Sequence, residues 1–402
     1  MYEINIESQI NRTPWEIELE KRCQYLNEMI ELGFSVNVII YEQPDSSTFR
    51  YRGYNIYQIM KKSNKWKTVY FFSNELTNVS SFIEKVDLVT ICRVRWQLEL
   101  QSFIDKVKWL GIPVLFDVDD LVYDIDYFSL LSNTIAVDFR MDPNMFYDFW
   151  FAQIGRIGLS AKQADAYIGT NAFLCNTFKE KFGKKEYIIP NFLNDEQVEI
   201  SQLCVEKKKA QGARKPFSLG YFSGSPTHAN DFKTIYKEIV ELLEEFDDIV
   251  LDVVGYMEFP EEMKKFVEMG RVRFTNPVDF VRLQELVASV DVNLVPLVIN
   301  KFTNCKSELK FFEAAIVNTI TCAAYTYTYE NAIEHGVNGF LCKPSEWYPT
   351  IKSIYLGEYD IDGINKRAKD YVLKNYYGEK IVKQIENVYS SAKKELGYER
   401  TN

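Results

Sequence analysis

Histidine is nearly missing from this chain, with only His228 and His335 among 402 residues. That scarcity argues against a metal centre built on imidazoles, which needs several of them converging. Cysteine is sparse and scattered (23, 92, 175, 204, 305, 322 and 342), with no Cys-x-x-Cys pair. An odd, dispersed set suits free thiols in a reducing compartment rather than a disulfide framework. No apolar run approaches the roughly 18 residues a spanning helix needs, and the N-terminus lacks a signal-peptide pattern. The expectation is therefore a cytoplasmic protein, with at most a peripheral contact at the cytoplasmic face of a membrane. Positive charge is also in deficit. The net charge of −10 disfavours a general nucleic-acid role. The clearest basic tract, KKKAQGARK at 207–215, reads as a solvated linker, with attraction to anionic lipid as the sharper alternative. Low-complexity tracts and short internal repeats are lacking too.

What is present is enough chain for two cores of about 200 residues each. A hydrophobic share of 47% beside 26% charged residues is that of a globular protein. The beginning reads strand (1–8), loop, amphipathic helix (15–32), Gly33, then the buried strand SVNVIIY. Further strands are expected at 68–72, 88–92, 114–116, 166–169 and 187–189, with amphipathic helices between them, including 98–110 and 159–163. A second βαβ series starts near Phe217. It runs through SLGYFSG, one long amphipathic helix in THANDFKTIYKEIVELLEEF, IVLDVVGY and VRFTNPV. The fold class is α/β, two Rossmann-like doubly wound domains with a cleft between them. The boundaries are 1–195, a linker at 196–216, 217–376, and a C-terminal helix within 377–402. That helix carries Ile381, Val382, Ile385, Val388, Tyr389 and Ala392 on one stripe.

The chemistry concentrates in 290–341. A buried strand (292–297) enters a polar loop, FTNCKSELKFFEAA, whose helix begins near Glu308. Strand, polar loop and helix N-terminus form a standard seat for phosphate and ribose. Lys306 and Lys310, four apart, share a helical face if the helix starts early enough. Cations there stabilise a leaving diphosphate most as its charge grows. The plain alternative is a solvated basic face. GYFSGSPTHANDF (220–232) repeats the arrangement: Gly224, Ser225, Thr227 and His228 lie in the loop, and Asp231 in the first turn of the next helix. After the strand IPVLF come Asp117, Asp119 and Asp120. Read from the residues alone, they form either an Asp-x-Asp metal site or a helix cap with first-turn acids.

The order and spacing of these pieces resemble nucleotide-sugar glycosyltransferases of the GT-B fold, especially the retaining family 4 group. The resemblance covers 217–345 well and the first domain thinly. It implies that Glu313 holds the donor's ribose, a carboxylate being able to accept from both vicinal hydroxyls. The family's partner glutamate, eight positions earlier, contacts the transferred sugar. Here that position is Cys305, so the contact would pass to Glu308 or Lys306. Ser307 would donate to the phosphates, with Lys301 a weaker cation. The family's Arg and Lys for the diphosphate are missing from 220–232, which leaves His228, Lys306 and Lys310 to compensate. Asp119-Asp120-Leu121 matches a His-Asp-Leu segment whose first residue faces the reacting sugar, and this alignment is favoured over the metal site. Arg12 and Thr13 occupy the place of the family's Gly-rich loop facing acceptor and phosphate, with Asp117 also facing the cleft. Pro190-Asn191 matches the hinge before the linker. Tyr329-Glu330…His335-Gly336-Val337-Asn338-Gly339-Phe340-Leu341 matches the closing segment, which bears on fold more than catalysis. The expected function is transfer of a sugar, with retention, from a nucleoside diphosphate sugar to a hydroxyl. The acceptor is a glycan, or a lipid- or protein-linked one, in polysaccharide or cell-surface glycan biosynthesis. No cofactor and no metal are expected. The tail helix would pack back on the first domain. The alternatives are a non-catalytic partner of an active transferase, motivated by Cys305, and a nucleotide-sugar epimerase of the same fold.

Overall fold

The computed structural model describes residues 13–45, 47–130, 142–211, 216–223, 229–255, 257 and 259–397. Two six-stranded sheets, parallel throughout, carry the chain. The first contains β1 (Ser35–Tyr41), β2 (Trp66–Phe72), β3 (Leu88–Cys92), β4 (Val114–Asp117), β5 (Ala166–Gly169) and β6 (Lys185–Ile188). Its order is β2-β1-β3-β4-β5-β6. The second contains β7 (Phe217–Ser223), β8 (Ile249–Gly255), β9 (Val272–Thr275), β10 (Val292–Val295), β11 (Ile320–Ala324) and β12 (Phe340–Cys342), ordered β12-β11-β10-β7-β8-β9. Strands such as SVNVIIY and IVLDVVG are buried along nearly their whole length because helices cover both sheet faces. The strand order reverses between β1 and β3 and between β7 and β10, and a crevice opens beyond the strand ends at such points.

Several segments differ from expectation. The strand expected at 1–8 lies outside the described residues. The long helix after β7 is two pieces, Ala229–Phe232 and Tyr236–Glu245. Thr234 breaks it: its hydroxyl and its N–H both bond the Asp231 carbonyl, at 2.6 and 3.1 Å, and close a turn. The segment read as a linker is mostly a helix, Asp195–Gln211. It buries Val198, Ile200, Ser201, Cys204 and Val205 and packs on the Phe280–Ala288 helix. Within the basic tract, Lys208 is half-buried and its ammonium donates to the Asn318 carbonyl at 2.8 Å. After helix Tyr327–Ala332 the chain turns at Gly336, whose φ of 75° is left-handed.

The C-terminal helix, Glu379–Leu396, crosses back to the first domain on its apolar stripe. Tyr389 lies edge-on to Trp66 at 5.4 Å, Trp66 Nε1 donates to Ser390 Oγ at 3.0 Å, and Lys393 pairs with Asp87 at 2.6 Å. Buried side chains of both domains and this helix form one continuous apolar cluster. All seven cysteines are unpaired. No helix among the described residues is long and apolar enough to cross a membrane.

Candidate active site

A cavity of about 240 Å³ opens at the C-terminal ends of β7 and β8 and beside Asn293 of β10, where the second sheet's order reverses. Its lining combines apolar side chains, among them Val254, Pro277, Val278, Leu283 and Val287, with the polar groups of Arg50, Tyr51, Asp119, Asn293, Lys310 and Glu313. Apolar surface suits a flat heterocycle, and the cations suit an anion. Gly255, which lines the cavity, has φ of 114°, and a Cβ there would sit 1.6 Å from the Ser223 carbonyl oxygen. The wall at this point is therefore bare backbone that only glycine allows.

Glu313 lies in the Leu309–Ala315 helix and is buried. Its Oε1 accepts from Tyr51 Oη, from Gln197 Nε2 at 3.3 Å and from Arg50 Nη2 at 3.4 Å. Two of those donors come from the first domain, so the carboxylate is oriented from across the cleft. Its Oε2 has no hydrogen-bond donor among the described residues and remains for a ligand's hydroxyls. Burial raises the Tyr51 phenol well above its usual range, so Tyr51 stays a neutral donor. Gln284 Nε2 holds the Glu313 carbonyl at 2.6 Å, and Asn293 Nδ2 holds that of Lys310 at 3.0 Å. Lys310 faces the cavity with its ammonium largely ringed by protein. Loss of hydration lowers its pKa to about 8, Asp231 draws it back, and Lys306 pushes it down further. No carboxylate forms an ion pair with Lys310 among the described residues, so an incoming anion would meet an unneutralised cation.

The loop before this helix behaves differently from expectation. The helix starts at Leu309, so Lys306 precedes it and shares no helical face with Lys310. Lys306 instead pairs with Asp120 of the first domain at 3.1 Å. Ser307 is buried and Glu308 turns its carboxylate to Tyr376 Oη, so neither lines the cavity. Burial raises the Glu308 carboxyl, which the Tyr376 hydrogen bond partly offsets. Cys305 is fully buried in the first domain's apolar cluster, where burial pushes its thiol up, and Asn171 Nδ2 bonds its carbonyl at 2.9 Å. Lys301 reaches Glu180 at 3.0 Å and Tyr127 at 2.6 Å. This side of the cleft is thus an interdomain contact.

The three acids separate. Asp117 is 1% exposed and accepts from Arg52 Nε and Nη2 at 2.8 and 2.7 Å, inside the first domain. Asn191 supports the same guanidinium, its Oδ1 accepting from Arg52 Nη1 at 3.2 Å. Neither Asp117 nor Asn191 reaches the cavity. Asp119 does line it, bonded to Arg93 at 3.1 Å and Thr48 at 3.2 Å. Among the described residues no group of three His, Cys, Asp or Glu side chains is placed to hold a metal ion. Thr13 sits in the loop before the first helix; two residues on, Trp15 meets the cavity residue Phe280 at a ring distance of 5.9 Å. His335 bonds the Leu341 backbone and is part of the fold. Arg12, Gly224, Ser225, Thr227 and His228 lie outside the described residues.

Sequence reasoning passed over Arg50, Tyr51 and Arg93. Arg50 and Tyr51 belong to a π-helical turn, Arg50–Tyr54, that leads into the Asn55–Met60 helix. Such turns interrupt regular helix and concentrate at functional sites. Arg50 lies 4.8 Å over the Phe280 ring and brings to the cavity a cation that the 220–232 loop lacks.

Residues 218–355 match the family model described as Glycosyl transferases group 1. Comparison with curated protein sequences finds no match. Among solved structures, HepE from Anabaena in complex with UDP is 14% identical with a TM-score of 0.58, over 89% of this chain and 100% of HepE. Sucrose-phosphate synthase from Thermosynechococcus elongatus is 12% identical with a TM-score of 0.58, over 89% and 98%. A glycosyltransferase from Rickettsia africae is 12% identical with a TM-score of 0.58, over 90% and 99%. With both sheets in place the chain has the two-domain GT-B fold of these structures, and its second domain, which carries the cavity, matches the glycosyl transferases group 1 model over residues 218–355.

Proposed function

We propose that the cavity holds the nucleoside diphosphate of a sugar donor and that the chain passes the sugar, with retention, to a hydroxyl of a glycan, free or carried on lipid or protein. The reading assigns the base to the apolar lining, the ribose to Glu313 and the diphosphate to Lys310 and Arg50. The observation that carries it is the placing of an oriented carboxylate, Glu313, and an ammonium with no ion-pair partner among the described residues, Lys310, one helical turn apart in a cavity that also has apolar lining. Solved structures of HepE hold UDP and UDP-glucose, so uridine diphosphate is the first nucleotide to test.

In the proposed reaction the bond between the anomeric carbon and the phosphate oxygen breaks. A bond from that carbon to the acceptor oxygen forms on the same face, and the acceptor proton passes to the departing phosphate. Lys310 and Arg50 gain most from the growing negative charge, which is what lowers the barrier. Asp119, fixed by Arg93 and Thr48, contacts the reacting sugar or the acceptor hydroxyl. Lys306, Ser307 and Glu308 would act by holding the loop against the first domain. No metal is assigned a step.

The test is nucleotide release from a panel of UDP-, GDP-, dTDP- and CDP-sugars, with EDTA present and with sugar acceptors added. One donor should turn over faster with acceptor than without, and Glu313→Gln should raise its KM. Turnover equally fast without acceptor, giving an isomeric donor, would replace transfer by epimerisation. Donor binding with turnover only beside another protein would make the chain a partner of a transferase.

A further inference from the structure

A second cavity, of about 320 Å³, lies at the C-terminal ends of β1 and β3, where the first sheet's order reverses. Its described lining includes Glu42, Asp45, Thr48, Arg93, Arg95 and Trp150. Ser47 lines both this cavity and the first. The wall between them is completed by Thr48, Arg93 and Asp119, bonded to one another at 2.8 to 3.2 Å. Arg93 holds this position with φ of 53°, a left-handed conformation unusual for a non-glycine residue. Backbone strain of that kind persists where surrounding structure enforces it, often at functional sites.

The charges of this cavity are already answered within the protein. Arg95 Nε bonds both oxygens of Glu42 at 2.6 and 2.7 Å, and Arg93 pairs with Asp119. Asp45 accepts from Tyr41 Oη, from Ser47 N and Oγ, and from Phe49 N at 2.8 to 3.1 Å. An anionic guest would meet no unmatched cation among the described residues and would face Asp45 and Glu42. Hydrogen-bonding capacity does remain. Arg95 Nη1 donates to Gln153 Oε1 at 2.9 Å, which leaves Arg95 Nη2 and Gln153 Nε2 without a protein acceptor among the described residues. Half-buried Trp150, with Ile154 and Ile157, supplies an apolar side against which the C–H face of a sugar ring can lie. Polar groups and an aromatic side chain lining one cavity suit a neutral, polyhydroxylated ring.

We propose that this cavity is the acceptor subsite and that it selects a neutral sugar residue over an anionic one, the reacting hydroxyl reaching the donor past Ser47 and Thr48. The inference rests on the donor reading of the first cavity, and its test separates the two. The full chain is saturated with UDP and titrated with glucose, galactose, N-acetylglucosamine and maltose, then with glucuronic acid and glucose 6-phosphate, by ligand-detected NMR. At least one neutral sugar should bind, with the anionic sugars weaker by about tenfold or more. Trp150→Ala and, independently, Arg95→Gln should each weaken the neutral sugar about tenfold while leaving UDP affinity unchanged, and Trp150→Phe should restore much of the loss. Tighter binding of an anionic sugar, neutral binding indifferent to both variants, or UDP binding with no sugar bound would overturn the acceptor assignment alone. Variant-sensitive sugar binding without UDP binding would leave the sugar site standing and remove the donor reading. Failure of both ligands would remove both.

Discussion

At the scale of single residues, the two halves of the donor cavity were unequally legible. Lys310 stands out in KSELKFFEAA because a helix start after a buried strand is a local pattern, and Glu313 was marked there by the family resemblance. Arg50 bonds Glu313 from 263 positions away, and no periodicity links such a pair. The acids show the same limit: spacing grouped Asp117, Asp119 and Asp120, whereas burial and three separate cations divide them. Lys310 yields a prediction in pH. Its pKa in the free protein is lowered to about 8, and a bound diphosphate must raise it. Below about pH 8 the lysine is already protonated and donor affinity is at its plateau. Above it, binding takes up a proton, so affinity falls by up to about tenfold per pH unit until the raised value is reached. Titration of UDP between pH 7 and 10 reads this directly; Lys310→Met should flatten the profile, and a wild-type profile that is already flat would contradict the assignment. Asp117, by contrast, is a stability residue. Asp117→Ala leaves Arg52 buried without its carboxylate and should lower unfolding free energy by about 3–5 kcal/mol in chemical denaturation. Asp119→Asn should lower kcat with little change in donor affinity, because Asp119 stands at the wall between the cavities.

At the scale of elements, the strands were readable because buried parallel strands are short apolar runs. SVNVIIY and LVTIC occupy β1 and β3 over the spans their apolar runs mark. Helix continuity was not, since Thr234 ends one helix by hydrogen bonding rather than by any loss of amphipathic pattern. The turn Arg50–Tyr54 was missed for a related reason: RYRGY is polar and aromatic, with no alternation to mark it as buried. Its position depends on Gly53, where a Cβ would fall 2.4 Å from the Phe49 ring. That ring is fully buried among Trp15, Tyr41, Tyr70 and Phe72 and has little room to move. Gly53→Ala should destabilise by about 1–3 kcal/mol as the packing gives way. It should also raise the donor KM, since Arg50 and Tyr51 ride on the same turn. A variant with wild-type melting temperature and KM would show that the turn does not hold the site.

At the scale of the whole molecule, the duplicated Rossmann pattern and the tail helix's apolar stripe could be foreseen from local periodicity, and that helix's return to the first domain from the family resemblance. The interdomain contacts could not. Cys305 against the first-domain core, Lys306 with Asp120 and Arg50 with Glu313 depend on how two finished domains meet. One apolar cluster joins both domains through the Glu379–Leu396 helix, so the chain should unfold as a single unit. Removing residues 379–402 exposes Trp66 and the surface that buried Ile381, Ile385 and Tyr389, each such apolar side chain contributing about 1.5–3 kcal/mol. Calorimetry of that truncation should show loss of the cooperative transition; an unchanged melting temperature would contradict the shared core. The central claim is that Glu313 and Lys310 form a nucleoside diphosphate site. Thermal unfolding of the wild type, Glu313→Ala and Lys310→Met with UDP, GDP, dTDP and CDP, in EDTA, tests it most directly. The account predicts that one diphosphate stabilises the wild type, by about 2.7 kcal/mol at 100-fold saturation, and that both variants lose most of this. Equal stabilisation of wild type and Glu313→Ala, or no stabilisation of the wild type by any of the four, would contradict it.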